Sequence, residues 1–270
     1  MRDLCLTEIR MNLIFLDIDM TIWDDILRIP ESTKDAIRLA KLMGNKVFIN
    51  TGRSRSNTMY ESLDELGMDG VVAACGCHVE IGGELLYQKL LTWDQVQTSL
   101  KVLHDEHMPV VLEGSRNCFF DPEDFPDDPF AKTLWESLGD RAKKLNTVSG
   151  DDPINKFSAD ITDETDYDLV CEKLDDFLYE INHNNIVVEF VPKGHSKATG
   201  MEMVRKHYGV PAENIYAVGD GMNDMEMIKA AAHGIAMGQG NPELLLASDY
   251  VTDSIYEDGI YKAFKHFKLI

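Results

Sequence analysis

The chain has 270 residues, 44% hydrophobic and 27% charged, the proportions of an ordinary soluble globular protein with room for one large or two moderate domains. Its 26 basic residues face 47 acidic ones, and the net charge of −21 disfavours nucleic acid and anionic membrane as partners. No apolar run has the length of a membrane span, the first residues lack a signal-peptide apolar core, and five cysteines do not make a disulfide framework; the expected compartment is the reducing cytoplasm.

Residues 1–10 read as a short extension before the core. Leu13 to Leu16 is a continuous apolar run, the pattern of a strand buried on both faces in a parallel sheet. Asp17 and Asp19 follow it, two apart, so on a strand both would project the same way. Two carboxylates in one cleft call for a cation or a shared proton. Ser32 to Met43 has helical apolar spacing with Gly44 as its stop, and Lys46 to Asn50 is a second strand ending in Thr51-Gly52-Arg53. A helix carrying Met59, Leu63 and Leu66 is expected next, then a strand over Val71 to Ala74.

The rhythm then changes. A hairpin over His78 to Leu91 turns at Gly82-Gly83, and Thr92 caps a helix running to His104. Strands are expected over Pro109 to Glu113, Asn117 to Phe120, Lys156 to Ile161 and Ile186 to Val191. Helices are expected from Asp127-Asp128-Pro129 to Leu138 and over Tyr167 to Ile181. Grouped strands and helices of this kind mark an inserted α+β domain. From Lys197 the βα alternation returns: a helix to Tyr208, a strand Ile215 to Val218 ending in Gly219-Asp220-Gly221-Met222-Asn223-Asp224, and further helix–strand units to the end.

Three strand ends therefore carry polar residues: Asp17, Asp19 and Thr21; Thr51; and Asp220, Asn223 and Asp224. In a parallel sheet all such ends share one edge, where ligands bind. Singly each has a bland reading, as a turn or a cap. Cys75-Gly76-Cys77-His78 lacks metal-ligand spacing and reads as buried thiols.

The set DIDMT, NTGR, PKGHSK, GDGMND, AAAHGIAMG and SIYEDGI resembles the haloacid dehalogenase (HAD) superfamily, in particular its Cof-type phosphatases with a C2, C2B-type cap. The match is strong over 11–81 and 191–270. The resemblance implies an α/β fold: a Rossmann-like parallel-sheet core (1–81 and 191–270) with an inserted α+β cap domain (82–190). It implies a Mg²⁺-dependent phosphatase acting on a small phosphorylated metabolite through an aspartyl-phosphate. Asp17 is then the nucleophile and Asp19 the general acid and base. Asp17, the Asp19 carbonyl and Asp220 hold Mg²⁺, with Asp224 supporting the metal shell. Thr51, Gly52, Lys197 and Asn223 bind the phosphate. A phosphomutase on the same scaffold and a non-catalytic phosphate-binding protein are the alternatives. Two positions depart from the pattern: Met20 stands where these phosphatases usually have glycine, and Cys75 where they usually have asparagine. Should position 20 need φ > 0, methionine there costs strain.

Overall fold

The computed structural model describes residues 11–126 and 129–270, so the proposed N-terminal extension and the Asp127-Asp128 helix opening lie outside the described residues. In chain order the elements begin β1 (Leu13–Leu16), α1 (Glu31–Leu42), β2 (Lys46–Asn50), α2 (Glu61–Asp64), β3 (Gly70–Ala73), β4 (His78–Ile81), β5 (Glu84–Gln88) and α3 (Trp93–Asp105). They continue with β6 (Val110–Gly114), β7 (Cys118–Phe119), α4 (Pro129–Leu138), β8 (Ala142–Lys143), β9 (Ile154–Asp160), α5 (Tyr167–Leu174), β10 (Leu178–His183) and β11 (Val187–Pro192). The last are α6 (Lys197–Tyr208), β12 (Ile215–Gly219), α7 (Met225–Ala230), β13 (His233–Ala236), α8 (Pro242–Ala247), β14 (Tyr250–Val251) and α9 (Gly259–His266). Among the described residues no helix is long and apolar enough to cross a membrane.

The chain forms two compact units. The first comprises residues up to Ile49, Leu66–Asp69 and Met201–Ile270. Its sheet runs β14-β13-β12-β1-β2, and every adjacent pair is parallel. The four side chains of β1 are all fully buried, as are Val47, Phe48, Ala217, Val218, Ile235 and Ala236 on its neighbours. That is why these strands are continuous apolar runs: a parallel sheet is covered on both faces. Phe15 stacks on Phe48 with ring centroids 5.2 Å apart. Each such aliphatic or aromatic burial contributes about 1.5–3 kcal/mol, before chain entropy is subtracted. The expected α/β architecture with a parallel sheet is what forms.

The second unit comprises Asn50–Glu65 and Gly70–Gly200. It holds the antiparallel meander β3-β4-β5 and a separate six-stranded sheet in the order β10-β11-β9-β6-β7-β8. One face of that sheet packs on α3 and α5 through Val96, Leu103, Val170, Leu174, Phe157 and Phe190. Thr92 caps α3 as expected, in a reciprocal box with Gln95.

Two elements differ from the sequence reading. The helix expected over Tyr167 to Ile181 stops at Leu174, and residues 178–183 form β10, paired antiparallel with 192–187. Leu178 and Ile181 fit a helical spacing, but Leu178 joins the α3/α5 core while Tyr179 and Ile181 pack against Ala74, Cys75, Cys77 and Val191. That alternation is period two, and the turn that forces it is Asn184-Asn185, with φ of 57° and 56°. Two consecutive positive φ values make a type I′ hairpin, which asparagine tolerates. The expected helix after Arg53 is only a 3-10 turn over Arg55–Thr58 and the single turn of α2.

Met20 has φ 54°, so the conditional cost at this position is real. Its carbonyl is held by Gln239 Nε2 at 2.6 Å, and Gln239 Oε1 accepts from the Ile255 N–H, which fixes the turn. A left-handed methionine costs about 1–2 kcal/mol, whereas glycine gives back about 0.5–1 kcal/mol of that through unfolded-chain entropy. Met20→Gly is expected to stabilise the protein by about 0.5 kcal/mol, read as a higher urea midpoint at unchanged m-value. A lower midpoint contradicts the strain.

Candidate active site

β1 ends at Leu16, so Asp17 lies just past the strand, its N–H donating to the Val218 carbonyl at 3.0 Å. Beyond it the chain turns sharply: the N–H groups of Thr21, Ile22 and Trp23 all point to the Ile18 carbonyl. Asp19 sits in this turn, partly exposed, and strand alternation no longer governs how it relates to Asp17. β12, hydrogen-bonded beside β1, ends at Gly219 and delivers Asp220 at the same edge.

The side chains of Asp17, Asp220 and Asp224 converge: each offers a carboxylate oxygen, and these lie within 4.8 Å of one another. Asp17 is 4% exposed and Asp224 fully buried. Asp224 Oδ2 accepts from the N–H groups of Asp220 and Gly221, at 3.0 Å each, and so folds the loop around itself. Gly219 makes room for it, since a methyl there would stand 2.4 Å from Asp224 Cγ. The Asp220 backbone is anchored from the other side by the Asn241 N–H on its carbonyl, 2.8 Å.

Three carboxylates this close repel by about 3 kcal/mol per pair at an effective dielectric near 20. A divalent cation removes that repulsion, and an all-oxygen donor set with one partly exposed member suits Mg²⁺, which keeps some of its waters. The residues present therefore fit the metal that the resemblance implies. The Asp19 carboxylate is not in this group, and Asp224, expected only to support the shell, is a full member of it. The GDGMND spacing carries the signal: Asp220 and Asp224 are i and i+4 across a single turn. Free Mg²⁺ at about 100 times its Kd adds about 2.7 kcal/mol, or about 5–10 °C in Tm. Asp220→Asn is expected to lose most of that rise in a thermal melt; an equal rise in the variant contradicts metal binding here.

Of the remaining expected residues, Thr51, Gly52 and Lys197 lie in the second unit and Asn223 in the first. Thr51 follows β2, is 1% exposed, and uses its N–H on the Val72 carbonyl at 2.9 Å. Its Oγ1 accepts from the Arg53 N–H at 3.1 Å, which leaves the hydroxyl proton to donate elsewhere. Gly52 beside it is buried. Lys197 opens α6 and is 1% exposed. Ser196 and Thr199 exchange hydrogen bonds across the start of that helix, at 3.4 and 2.9 Å. Asn223 is half-buried in the loop after β12. The thiols of Cys75, Cys77 and Cys118 are free and buried, and burial pushes all three up, Cys77 to about 12 and Cys118 to about 11. Cys75 and Cys77 are the buried thiols their spacing suggested, and burial makes all three poor nucleophiles.

The model of a known family, the haloacid dehalogenase-like hydrolases, matches residues 14–264. The chain belongs to that family. The hydrolase is 30% identical over 275 residues to the 5-amino-6-(5-phospho-D-ribitylamino)uracil phosphatase YitU of Bacillus subtilis (strain 168), covering 96% of this chain and 98% of the relative. It is 30% identical over 257 residues to a phosphoglycolate phosphatase of Methanothermobacter thermautotrophicus, covering 95% and 99%. Among solved structures, the HAD subclass IIB sugar phosphatase BT4131 aligns with a TM-score of 0.80 at 27% identity, covering 96% of this chain and 100% of the other.

Proposed function

We propose that the hydrolase is a Mg²⁺-dependent phosphatase that cleaves a small phosphorylated metabolite, a sugar phosphate or similar monoester, through an aspartyl-phosphate on Asp17. The observation that carries this reading is the convergence of Asp17, Asp220 and Asp224. When bound, Mg²⁺ supplies positive charge beside Asp17 and the phosphoryl oxygens, so that a carboxylate can approach a phosphate dianion.

The Asp17 carboxylate attacks phosphorus, and the bond to the leaving oxygen breaks as the new P–O bond forms. Asp19 gives its proton to that leaving oxygen. Asp19 then takes a proton from water, the water oxygen attacks phosphorus, and the P–O bond to Asp17 breaks to restore the carboxylate. Thr51 and the Gly52 backbone donate to phosphoryl oxygens, Lys197 supplies a fixed positive charge, and Asn223 adds an amide donor. Residues 82–190 act as the cap that excludes water and chooses the leaving group. The cytoplasm is the compartment that fits the free, buried thiols.

Hydrolysis of p-nitrophenyl phosphate tests the reading. The rate is expected to require Mg²⁺, to fall to background with excess EDTA, and to return when Mg²⁺ is restored. Metal-independent turnover contradicts it.

A further inference from the structure

Lys197 is useful to a phosphate only if its backbone is fixed, and the start of α6 is held from four sides. The Tyr179 hydroxyl donates to the His195 carbonyl at 2.7 Å. Tyr87 Oη is 2.7 Å from His195 Nε2, and the two rings stack at 5.8 Å. The turn between β3 and β4 backs directly onto the helix: a methyl on Gly76, whose φ is +82°, would stand 2.2 Å from the Ser196 carbonyl oxygen. The fourth contact comes from Asn50. This residue is fully buried at the end of β2, and its Nδ2 donates to the Lys197 carbonyl at 3.0 Å.

Asparagine is an expensive choice for that place. Val47, Phe48 and Ile49 before it are apolar and buried, and a buried amide costs free energy unless it is hydrogen-bonded. Packing alone calls for another apolar residue. What the amide adds is a link: Asn50 is joined through its peptide bond to Thr51 and through its side chain to Lys197.

We propose that Asn50 is a positioning residue that sets the Lys197 backbone relative to Thr51, so that the Lys197 ammonium and the Thr51 hydroxyl meet one phosphoryl group. This rests on the reading of Thr51 and Lys197 as phosphate ligands. Asn50 itself touches neither substrate nor metal in this role; it acts through Lys197.

The test is a double-mutant cycle read by calorimetric titration of inorganic phosphate into the Mg²⁺-loaded protein. Lys197→Met is expected to weaken phosphate binding by about tenfold to a hundredfold, the range of a charged hydrogen bond. Asn50→Ala is expected to weaken it by about fivefold, the range of a neutral one. In the Lys197→Met background, Asn50→Ala is expected to cost nothing more. Equal losses in both backgrounds overturn the proposal, because Asn50 then acts independently of Lys197. Unchanged binding in Lys197→Met alone overturns the phosphate role of Lys197 and the proposal with it. The Mg²⁺-induced rise in Tm, which reads the Asp17 group, stays intact in Asn50→Ala; its loss alongside phosphate binding marks a general structural role and also overturns the proposal. If Asn50→Ala does not fold, the near-isosteric Asn50→Asp sets a carboxylate oxygen against the Lys197 carbonyl, and a loss of at least the same size is expected.

Discussion

Asp17→Asn is expected to lower phosphate-ester hydrolysis by at least about a thousandfold, to assay background, because the amide oxygen of the proposed nucleophile is unreactive and carries no charge. The substitution keeps the shape of the side chain, and the Asp17 N–H bond to the Val218 carbonyl is made by the backbone. The fold is therefore expected to survive, and circular dichroism and the melting curve should remain close to wild type. In the absence of metal the variant should even be slightly more stable, since one of three mutually repelling carboxylates has lost its charge. Steady-state hydrolysis of an aryl phosphate with saturating Mg²⁺ reads the effect. Turnover within tenfold of wild type assigns the nucleophile elsewhere.

Lys156→Met is expected to destabilise the protein by about 3–5 kcal/mol, the range for removing one partner of a buried ionic network. Lys156 is 1% exposed in the six-stranded sheet and reaches Glu113 Oε1 at 2.7 Å and Glu189 Oε2 at 2.6 Å. Ser158 also donates to Glu113, and His183 Nε2 and the Cys75 thiol face Glu189. Burial by itself would push Glu189 up, but the Lys156 charge and the His183 and Lys156 hydrogen bonds hold it far below the usual carboxylate range. Burial likewise opposes the Lys156 charge, and the two glutamates outweigh it and raise the ammonium well above its usual value. The depressed Glu189 contributes stability that is present above its unfolded pKa, near 4.3, and is lost as pH falls through its folded value. The raised Lys156 contributes stability that is complete below its unfolded pKa, near 10.4, and is lost as pH rises through its folded value. Both terms are complete between about pH 5 and pH 10. Without Lys156 the buried Glu189 loses its main counter-charge, so protonating it becomes easier. Urea unfolding should show the gap between variant and wild type narrowing as pH falls from 7 to 4. A variant within about 1 kcal/mol of wild type at pH 7 contradicts the network's role.

Much of the core was legible because burial leaves a plain pattern. The apolar runs of β1, β2 and β12 admit no half-exposed strand, and the carboxylates that follow β1 and β12 stand out at once. Asp17, Asp220 and Asp224 could be placed together because parallel neighbours share an edge. The second unit was harder. Residues 175–183 carry apolar side chains at a spacing that serves helix and strand alike, and only the Asn184-Asn185 turn decides between them. Lys156 enters the sequence only as the start of an expected strand, since nothing local announces partners 43 and 33 residues away. Asn50 is hidden for the same reason: its partner lies 147 residues on. Met20 is the reverse case: its departure from the motif marks the position, and its φ of 54° supplies the reason.

The most direct test of the mechanism is to trap the phosphorylated enzyme. Asp19→Asn keeps the nucleophile but cannot activate water, so Asp17 should phosphorylate and then stall. The variant is mixed with Mg²⁺ and p-nitrophenyl phosphate, a substrate whose leaving group needs little protonation, then quenched in mild acid and mapped by peptide mass spectrometry. The account predicts a phosphoryl group on the peptide containing Asp17, formed with a burst of nitrophenol and absent when Asp17 is also changed to asparagine. Release of phosphate at a steady rate with no phosphorylated peptide, or the phosphoryl group on another residue, contradicts it.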